Sequence, residues 1–372
     1  MSGALDGLVI ADFGRVLAGP YATMLLADLG AEVVKVERPG FGDDTRHWGP
    51  PWVGEESSYF LGVNRNKKSI ALDLYSEEGL VSARELVARA DVVVENFMPG
   101  TMDRVGLGYD EISKKHPGMV YCSVTGFGGH NDLAGYDLLI QAVGGLMSIT
   151  GPDTETPTKV GVAVVDVITG LHAALGIMAA LRHRDRTGEG QRVEVNLLSS
   201  LLSALTNQSS GYVAAGAIPK AMGNRHPSIA PYEVFQTKDR PLVLAVGNDK
   251  QFAQLSTIIG NPDLAADPRY TTNTARVANR DTLFSSISTA LADNTADHWF
   301  ELLSAGRVPC GPLNDMAEAI ALAEQLGLDP VVSIADPRRS GAVRQVANPI
   351  RLSATPATYR TAPPRLGEDN QA

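Results

Sequence analysis

The sequence predicts an α/β protein with an open parallel sheet and a second, smaller α+β domain. Short apolar runs typical of buried strands alternate with helix-length segments through the first half of the chain. A hairpin pattern and a helix-rich stretch then replace that alternation. The length of 372 residues is enough for about two domains.

The first β-α-β unit has the clearest pattern. LVIADF (8–13) is predicted to be a buried strand, and Pro20 opens a helix over 20–29. Gly30 ends that helix, and AEVVKVE (31–37) is the second strand of a parallel pair. Further helices are predicted over 77–90, 101–115, 137–147, 166–183 and 198–214, and further strands over 91–97, 119–125 and 191–197.

The middle of the chain has a different pattern. PYEVFQT and PLVLAVG are two predicted strands joined by KDR, which is typical of a hairpin, and helices dominate after them. A late strand is predicted over 346–355, and the polar, Pro-rich segment 361–372 is expected to be a surface tail. The expected domains are 1–222 for the large open-sheet domain, 223–326 for the small one, and 327–372 for a return segment that completes the large domain.

Charge and cysteine content exclude several functional classes. The 32 Lys+Arg and 42 Asp+Glu residues leave a formal net charge of −10, whereas nucleic-acid coats and membrane-surface proteins need a basic face. Cys122 and Cys310 supply neither a disulfide framework nor a CxxC metal site. Asp6 interrupts the apolar core that a signal peptide would need, and no apolar run approaches the ~18 residues that span a bilayer. We therefore expect a soluble, cytoplasmic protein without membrane or nucleic-acid partners.

The first crossover lacks the dinucleotide-binding fingerprint GxGxxG. Gly14 and Gly19 are too far apart in DFGRVLAGPYA, and Arg15 lies between them, so a dehydrogenase is disfavoured. Glu37 and Arg38 follow one another at the end of the second strand. They suit a ribose and its phosphate, but they are equally consistent with surface charges at a turn.

Seven segments span nearly the whole chain in order: LDGLVIADFGRVLAGPYATMLLADLGAEVVKVERPGFGD (5–43), NRNKKSIALDL (64–74), DVVVENFMPGTMDRVGLGY (91–109), GYDLLIQAVGG (135–145), GVAVVDVITGLHAALGIMAAL (161–181), GEGQRVEVNLL (188–198) and VPCGPLND (308–315). Together they resemble the class III CoA-transferase family (the CaiB/BaiF group). The resemblance implies an enzyme that moves CoA between a short-chain acyl-CoA, dicarboxylic ones included, and a carboxylic acid. It also implies a Rossmann-like large domain built from both termini, an interlocked homodimer, and no permanently bound cofactor, with the CoA thioester as substrate.

Asp166 begins an apolar helical stretch, where the residues alone favour a helix N-cap. The resemblance instead places the family's catalytic carboxylate here, as a nucleophile that is already ionised at pH 7 and forms a covalent aspartyl intermediate without a metal. By the same resemblance, Tyr136 and Asp137 line the active site. Racemases of the family have His at the position of Tyr136. A tyrosine, with a pKa of about 10, is a poor base at neutral pH, which favours the transferase.

The resemblance assigns CoA binding to residues at or just past the carboxyl ends of predicted strands, where open α/β sheets bind ligands. Arginine forks suit the phosphates of CoA, although a lone arginine is more often solvated. Lys68 lies in a positive cluster with Asn66 and Lys67, in which Lys67 or Lys68 is also consistent with a solvated side chain. The candidate CoA contacts are Arg38, Asn96, Phe97, Arg104 and Lys68.

The loop GNRHPSIAPY (223–232) takes the place of a glycine-rich lid in formyl-CoA transferase, but it lacks the run of glycines. Its form resembles family members that act on dicarboxylates. Arg15 and Arg225 are candidates to meet a second carboxylate, and His226 is a further candidate at the substrate, as a base or as a surface residue. Two alternatives stay open: a 2-methylacyl-CoA racemase-type epimerase, and a non-enzymatic CoA-binding protein.

Overall fold

A six-stranded parallel sheet forms the centre of the first of two compact units in the computed structural model, which describes residues 3–339 and 341–370. The strands are hydrogen-bonded in the order β3-β2-β1-β4-β5-β6. The order reverses between β1 and β4, as in Rossmann folds, and the predicted α/β class with a parallel sheet is confirmed. The strands are β1 (Val9–Asp12), β2 (Glu32–Glu37), β3 (Lys67–Ala71), β4 (Val92–Glu95), β5 (Val120–Thr125) and β6 (Arg192–Asn196).

Helices cover both faces of this sheet. The helices of this unit are α1 (Ala18–Asp28), α2 (Ser58–Gly62), α3 (Glu77–Arg89), α4 (Thr101–Arg104), α5 (Tyr109–Lys115), α6 (Asp137–Val143), α7 (Val164–Thr187), α8 (Leu197–Ala204) and α9 (Thr206–Ala215). Successive strand residues face opposite sides, so each face has its own core. The core shared with α1 and α7 contains Ile10, Val33, Val92, Val94, Val120, Cys122 and Val124. The core shared with α3, α4 and α5 contains Ala11, Val34, Val36, Val93 and Tyr121.

Two predicted helices are each divided in the structure. The segment 101–115 forms α4 and α5, because Gly106 takes a φ of +72° and Leu107 N–H donates to Met102 O (2.9 Å), which is the pattern of a Schellman stop. The segment 198–214 forms α8 and α9, which meet at Thr206, where φ is +38°. Both boundaries depend on single left-handed residues inside otherwise helical sequence.

The helix α7 is longer than predicted, and it carries an apolar surface. By length and composition alone it could cross a membrane, although the sequence has no uninterrupted apolar run that predicted this. Well under half of its most apolar stretch is buried. Gly170 brings α7 close to the start of α1, since a Cβ there would lie 2.7 Å from Ala18 O. This close approach places the first turns of α1 and α7 side by side.

The second compact unit consists of residues 147–158 and 219–326. Its sheet joins β7 (Tyr232–Gln236) and β8 (Pro241–Ala245) as the predicted antiparallel hairpin, with β9 (Cys310–Pro312) paired to β8. Residues 147–158 were expected in the large domain, but Gly223 N–H donates to Gly151 O (3.0 Å) within the second unit. Its helices are α10 (Asp249–Ile258), α11 (Asn273–Ala278), α12 (Arg280–Leu291), α13 (Ala296–Ala305) and α14 (Met316–Gln325).

The return segment belongs to the first unit, but its strands differ from the prediction. The strands β10 (Val331–Ile334) and β11 (Val343–Val346) form an antiparallel pair. The strand expected over 346–355 is wrong, because the chain turns at Asn348, whose Oδ1 accepts from Ile350 N–H (2.9 Å), just before Pro349 could continue a ladder.

The last described residues are not a free surface tail. Asp369 accepts from Ser69 N–H (2.8 Å) and Asn370 accepts from Ala71 N–H (2.7 Å), so the segment runs along the edge strand β3. Three residues before them are buried, Ala362, Pro363 and Pro364. The segment therefore covers an edge that would otherwise present unpaired backbone groups.

Arg65 anchors the return segment from inside the first unit. Its guanidinium forms a buried ion pair with Asp28 (2.7 Å) and also donates to Val346 O (2.9 Å). Asn66 donates to the same Asp28 carboxylate (2.8 Å), and both Asn66 and Lys67 are buried. Of the two lysines for which a solvated side chain was an alternative, Lys67 is therefore buried, whereas Lys68 is exposed.

Candidate active site

The loops after β1 and β4 meet where the strand order reverses, which is where open α/β sheets form ligand crevices. Arg15 N–H donates to Asn96 Oδ1, and Asn96 Nδ2 donates to Arg15 O, each at 2.8 Å. The Arg15 guanidinium lies over the ring of Phe97, 4.7 Å from its centroid. Three of the residues singled out in the sequence are thus in direct contact.

The segment 14–17, which we call the Val16 turn, connects β1 to α1 in a strained conformation. Val16 has a φ of +66°, a region that costs a β-branched residue on the order of 1–3 kcal/mol. Its N–H donates to the Asp43 carboxylate (3.2 Å to Oδ2), and Gly14 O accepts from Lys35 Nζ (2.8 Å). Lys35 and Asp43 form an ion pair at 2.8 Å with both side chains fully buried. Burial opposes the charge on Asp43, but the Lys35 ammonium more than offsets it and lowers the pKa of Asp43 to about 2.

A second buried ion pair lies beside the first. Lys67 Nζ lies 3.0 Å from Asp12 Oδ2, and Thr23 Oγ1 donates to the same oxygen at 2.6 Å. Burial lowers the pKa of Lys67 to about 8, although Asp12 counteracts this. Neither pair was predicted from the sequence. A usable signal existed, since Asp12 in LVIADF and Lys35 in AEVVKVE are charges in buried strands and therefore need partners.

Asp166 lies in the first turn of α7 but does not cap it. Asp137 Oδ1 instead accepts from Val165 N–H (2.8 Å) and from Asp166 N–H (3.2 Å), and Gln141 Nε2 donates to Asp137 Oδ2 (2.6 Å). The capping position itself is Ala163. The N-cap role that the sequence left open for Asp166 is therefore filled by a carboxylate 29 positions earlier in the chain.

The Asp166 carboxylate receives no hydrogen bond from any residue in the described ranges. Burial, and after it the negative charge of Asp137, raises the pKa of Asp166 from 3.8 to about 7. Asp166 is therefore not fully ionised at pH 7, contrary to the expectation from the sequence. Tyr59 packs with Ala163 and Val167, and burial followed by the Asp166 charge raises the pKa of Tyr59 to about 12. Tyr59 had no sequence signal, and its phenol keeps its proton.

Two adjoining cavities open at this crevice. The first, which we call the Asp166 cavity, has a volume of about 400 Å³, and its lining includes Asp166 and Tyr136 but not Asp137. The second, the Arg38 cavity, has a volume of about 540 Å³, and its lining includes Arg38 and Tyr75. Three residues line both cavities: Arg15, Phe97 and Met98. A ligand that extends from one cavity to the other would pass these shared residues.

The remaining candidate CoA contacts lie in two different places. Arg104 is exposed on α4 and donates to Thr101 Oγ1 (2.9 Å), and Thr101 lines the Arg38 cavity. Lys68 pairs with Glu32 (3.0 Å) and lines a separate cavity of about 730 Å³ at the amino-terminal ends of β1, β2 and β3. The structure therefore brings Arg104 near Arg38 but does not bring Lys68 there.

Arg225 and His226 lie in the second unit, where their side chains are engaged. The Arg225 guanidinium pairs with Glu233 (3.2 Å) and Asp281 (2.9 Å). His226 Nδ1 accepts from Ser228 N–H (3.0 Å), so the proton of the neutral ring lies on Nε2. The rest of the loop 223–232 is held by side chains of Asn273, Arg276 and Arg280.

The side chains of the Asp166 cavity suit acyl transfer to a carboxylate. Asp166 has oxygens that accept no hydrogen bond from the described residues, and Arg15 supplies a positive charge to the lining of the same cavity. Burial raises the pKa of the Cys122 thiol to about 12, so this group is not a thiolate nucleophile at neutral pH. Within the described ranges, no group of three or more His, Cys, Asp and Glu side chains is arranged to hold a metal ion.

Comparisons with known proteins identify the family of the chain. Residues 5–370 match the family model described as CoA-transferase family III. Succinyl-CoA:glutarate CoA-transferase of Mus musculus is 44% identical over 367 residues, which cover 98% of this chain and 84% of that protein. Acetyl-CoA:oxalate CoA-transferase of Acetobacter aceti is 40% identical over 375 residues, which cover 100% of this chain and 95% of that protein.

A solved structure shows the same fold. The crystal structure of a CAIB/BAIF family protein from Brucella suis superimposes with a TM-score of 0.88 at 41% identity, covering 100% of this chain and 98% of that one. The match covers the parallel sheet, the helices and the return segment together. The chain therefore belongs to CoA-transferase family III, and it is an enzyme that transfers CoA.

Proposed function

We propose that this enzyme moves CoA between a short-chain acyl-CoA, dicarboxylic ones included, and a carboxylic acid through a covalent intermediate on Asp166. The observation that carries the proposal is the Asp166 carboxylate, which lies in a cavity with no hydrogen bond from the described residues. Dicarboxylates are favoured because similar enzymes are named for succinyl-CoA with glutarate and for succinyl-CoA with mesaconate.

The first half of the reaction makes an aspartyl thioester. An Asp166 oxygen attacks the thioester carbonyl of the donor, the C–S bond breaks, and CoA leaves as its thiolate. The thiolate then attacks the aspartyl carbonyl of the mixed anhydride. The bond between the aspartyl carbonyl carbon and the bridging oxygen breaks, and the donor acid leaves as a carboxylate that keeps this oxygen.

The second half runs the same steps in reverse. The acceptor carboxylate attacks the aspartyl-CoA carbonyl and releases the CoA thiolate, which gives a new mixed anhydride. The thiolate attacks the acceptor acyl carbon, so the product is the acceptor acyl-CoA and the Asp166 carboxylate is restored. All bonds and charges balance with only the two substrates, and no other cofactor enters a step.

The Arg38 cavity is the proposed site for the nucleotide end of CoA. Arg38 and Arg104 supply positive charge for the phosphates, and apolar residues including Leu72 and Val105 line the cavity. Arg15 and Phe97 line the passage to Asp166, and Asn96 holds the Arg15 backbone at 2.8 Å. Lys68 stays outside this set because it lines a different cavity.

The acid to be activated would meet Arg15 in the Asp166 cavity. Arg15 is the only cationic side chain among the described residues that line this cavity. The Arg15 guanidinium lies 4.0 Å from Asp44, a loose contact that a substrate carboxylate can replace. Arg225 and His226 are not assigned to this carboxylate, since their side chains already have partners within the second unit. Tyr136 is exposed at the mouth of the cavity and offers a phenol where the racemase-type alternative needs an imidazole base.

The proposed enzyme is a cytoplasmic homodimer. The first unit exposes large apolar side chains that a second copy would cover, because a patch of this kind marks an interface. Leu175 of α7 is 69% exposed and Val213 of α9 is 82% exposed. The other members of this apolar face are Leu138, Leu139, Val143, Leu171, Met178, Leu202 and Tyr212.

Replacement of Asp166 by Asn tests the nucleophile. The amide has the same shape but cannot attack, so turnover of succinyl-CoA with a panel of dicarboxylates should fall at least about a thousandfold. Asp185→Asn, on the exposed last turn of the same helix, is the matched control and should keep its turnover. With acyl-CoA and no acceptor, mass spectrometry of a quenched digest should find CoA on the Asp166 peptide, and hydroxylamine should convert that residue to a hydroxamate. Full turnover of the Asn variant, or an adduct on Asp137 alone, would place the nucleophile elsewhere.

The pH dependence follows from the raised pKa of Asp166. Since the protonated acid cannot attack, kcat/KM should rise with pH through about 7, the pKa that burial gives this group. Folding favours the protonated form, so Asp166 costs the folded state stability as pH rises from about 4 to about 7. The Asp166→Asn variant should therefore gain more Tm at pH 8 than at pH 4, while Asp185→Asn should show no such trend. An unchanged Tm difference across this range would show that Asp166 is not held in a charge-disfavouring site.

Arg38 variants test the CoA site. Arg38→Ala should raise KM for the CoA ester by about 10- to 100-fold with a smaller change in kcat, because a hydrogen bond to a charged group is worth about 1.5–3 kcal/mol. Arg104→Ala should act in the same direction. Arg89→Ala removes an exposed arginine that pairs with Glu32 away from both cavities, so it is the control. A wild-type KM in both Arg38 and Arg104 variants would show that CoA binds elsewhere.

The apolar face can be tested by charge insertion. Leu175→Glu should convert a dimer to monomers in light scattering, because it buries a charge in the proposed interface. Val81→Glu changes an exposed apolar residue on α3 and should leave the dimer intact. The dimer is contradicted if the wild-type chain is a fully active monomer at micromolar concentration. If the wild-type chain instead partitions into lipid vesicles, the apolar face binds a membrane.

A further inference from the structure

The Val16 turn forms part of the wall of the Asp166 cavity, and it is in a conformation that its own sequence disfavours. Val16 takes a φ of +66°, which a β-branched residue adopts only when its surroundings hold it there. Val16 and Leu17 both line the cavity with Asp166. The groups that hold the turn therefore also determine the shape of the cavity.

Asp43 is the side chain that binds the strained residue itself. Its carboxylate accepts from Val16 N–H at 3.2 Å and from Lys35 Nζ at 2.8 Å. Thr45 donates to it twice, from its backbone N–H (2.9 Å) and from Oγ1 (2.7 Å). The Asp43 N–H in turn donates to Glu37 Oε2 at 2.9 Å. Asp43 is thus fixed from several sides and has little freedom to follow a moving turn.

The turn is packed directly against the helix that carries Asp166. Val16 and Leu17 belong to one apolar cluster with Ala163, the N-cap residue of α7, and with Val167, which follows Asp166 in the first turn. Tyr59 belongs to the same cluster. A shift of Val16 would therefore change the spacing between the two walls of the cavity.

We propose that Asp43, held by Lys35, is a positioning residue for acyl transfer: it keeps the Val16 turn against the first turn of α7, so that the thioester carbonyl and the Asp166 oxygen meet at reacting distance. This inference rests on the proposed role of Asp166. Asp43 touches neither the reacting atoms nor the Arg38 cavity, so its loss should affect the chemical step more than CoA binding. A misplacement of about 1 Å can cost on the order of a hundredfold in rate.

Asp43→Asn is the first test, performed on the full-length enzyme. The amide still offers an oxygen to Val16, but its nitrogen cannot accept from Lys35, so the turn loses its fixed partner. We expect kcat to fall about 10- to 100-fold, KM for the CoA ester to stay within about threefold, and the pH midpoint of kcat/KM to stay unchanged. The unchanged midpoint separates positioning from an electrostatic effect on Asp166.

Asp28→Asn is the matched control. It removes a negative charge from another buried ion pair, the one that Asp28 forms with Arg65 at 2.7 Å. Neither Asp28 nor Arg65 lines the Asp166 cavity or the Arg38 cavity. Both variants should lose thermal stability, but Asp28→Asn should keep kcat. Thr45→Val is a milder second variant, which removes one hydrogen bond to Asp43 without adding a charge and tests the inference even if Asp43→Asn does not fold. We expect its kcat to fall about 3- to 10-fold, again with KM unchanged.

Three outcomes would overturn the inference. The first is wild-type kcat in the Asp43→Asn and Thr45→Val variants. The second is a loss of kcat in the Asp28→Asn control that is as large, for the same loss of Tm, as the loss in Asp43→Asn. The third is a change in the Asp43 variants that affects KM and leaves kcat unchanged. These results are distinct from failure of the proposed mechanism. If the Asp166→Asn variant is active, Asp166 is not the nucleophile and the proposed mechanism fails. If the Asp166→Asn variant is inactive but the Asp43 variants keep wild-type kcat, only the positioning role of Asp43 is refuted.

Discussion

Two buried ion pairs, Asp12 with Lys67 and Lys35 with Asp43, determine how the active-site end of this sheet is built. A charge without a partner in this interior would cost several kcal/mol, so each of these side chains requires its partner to be in place. The pairs join β1, β2 and the start of β3 to the loop that contains Asp43. Because Asp12 also accepts from Gly14 N–H and Lys35 donates to Gly14 O, the same pairs hold the Val16 turn.

At the start of α7 a carboxylate also has a fixed partner, but the proposed nucleophile, Asp166, has none among the described side chains. Asp137 takes over the capping of the helix, and Gln141 holds Asp137 in place. Asp166 is consequently free of capping bonds but remains partly buried and close to a second negative charge, so its pKa lies near 7. The enzyme thus keeps a carboxylate in a place where its charge is disfavoured, and such a group is a more reactive nucleophile than a well-solvated one.

The first unit has an edge strand that its own chain covers and an apolar helix face that is exposed. The return segment, anchored by Arg65, covers the edge of β3 from within the chain. On the apolar side of α7, Leu171 and Leu175 remain exposed among the described residues. The proposed second copy would bury this side.

The sequence by itself determined the elements that depend on local pattern. The alternation of apolar runs and helix-length segments predicted the parallel sheet, and the motifs identified the family, because both are encoded in neighbouring residues. The hairpin of β7 and β8 was predicted for the same reason. The motif positions Arg15, Asn96 and Phe97 also proved to be neighbours in space, since each follows the carboxyl end of β1 or β4.

Only the tertiary structure decided the interactions between residues far apart in the chain. The capping of α7 by Asp137 joins positions 28 residues apart, and the anchoring of Gln345 by Arg65 joins positions 280 residues apart. Tyr59 and the engaged state of Arg225 likewise had no local signal. A local pattern reports which face of an element is apolar, but it does not report which distant side chain satisfies a buried charge or a free N–H group. That choice is made by packing, and here packing gives Asp166 its open carboxylate and Val16 its strained turn.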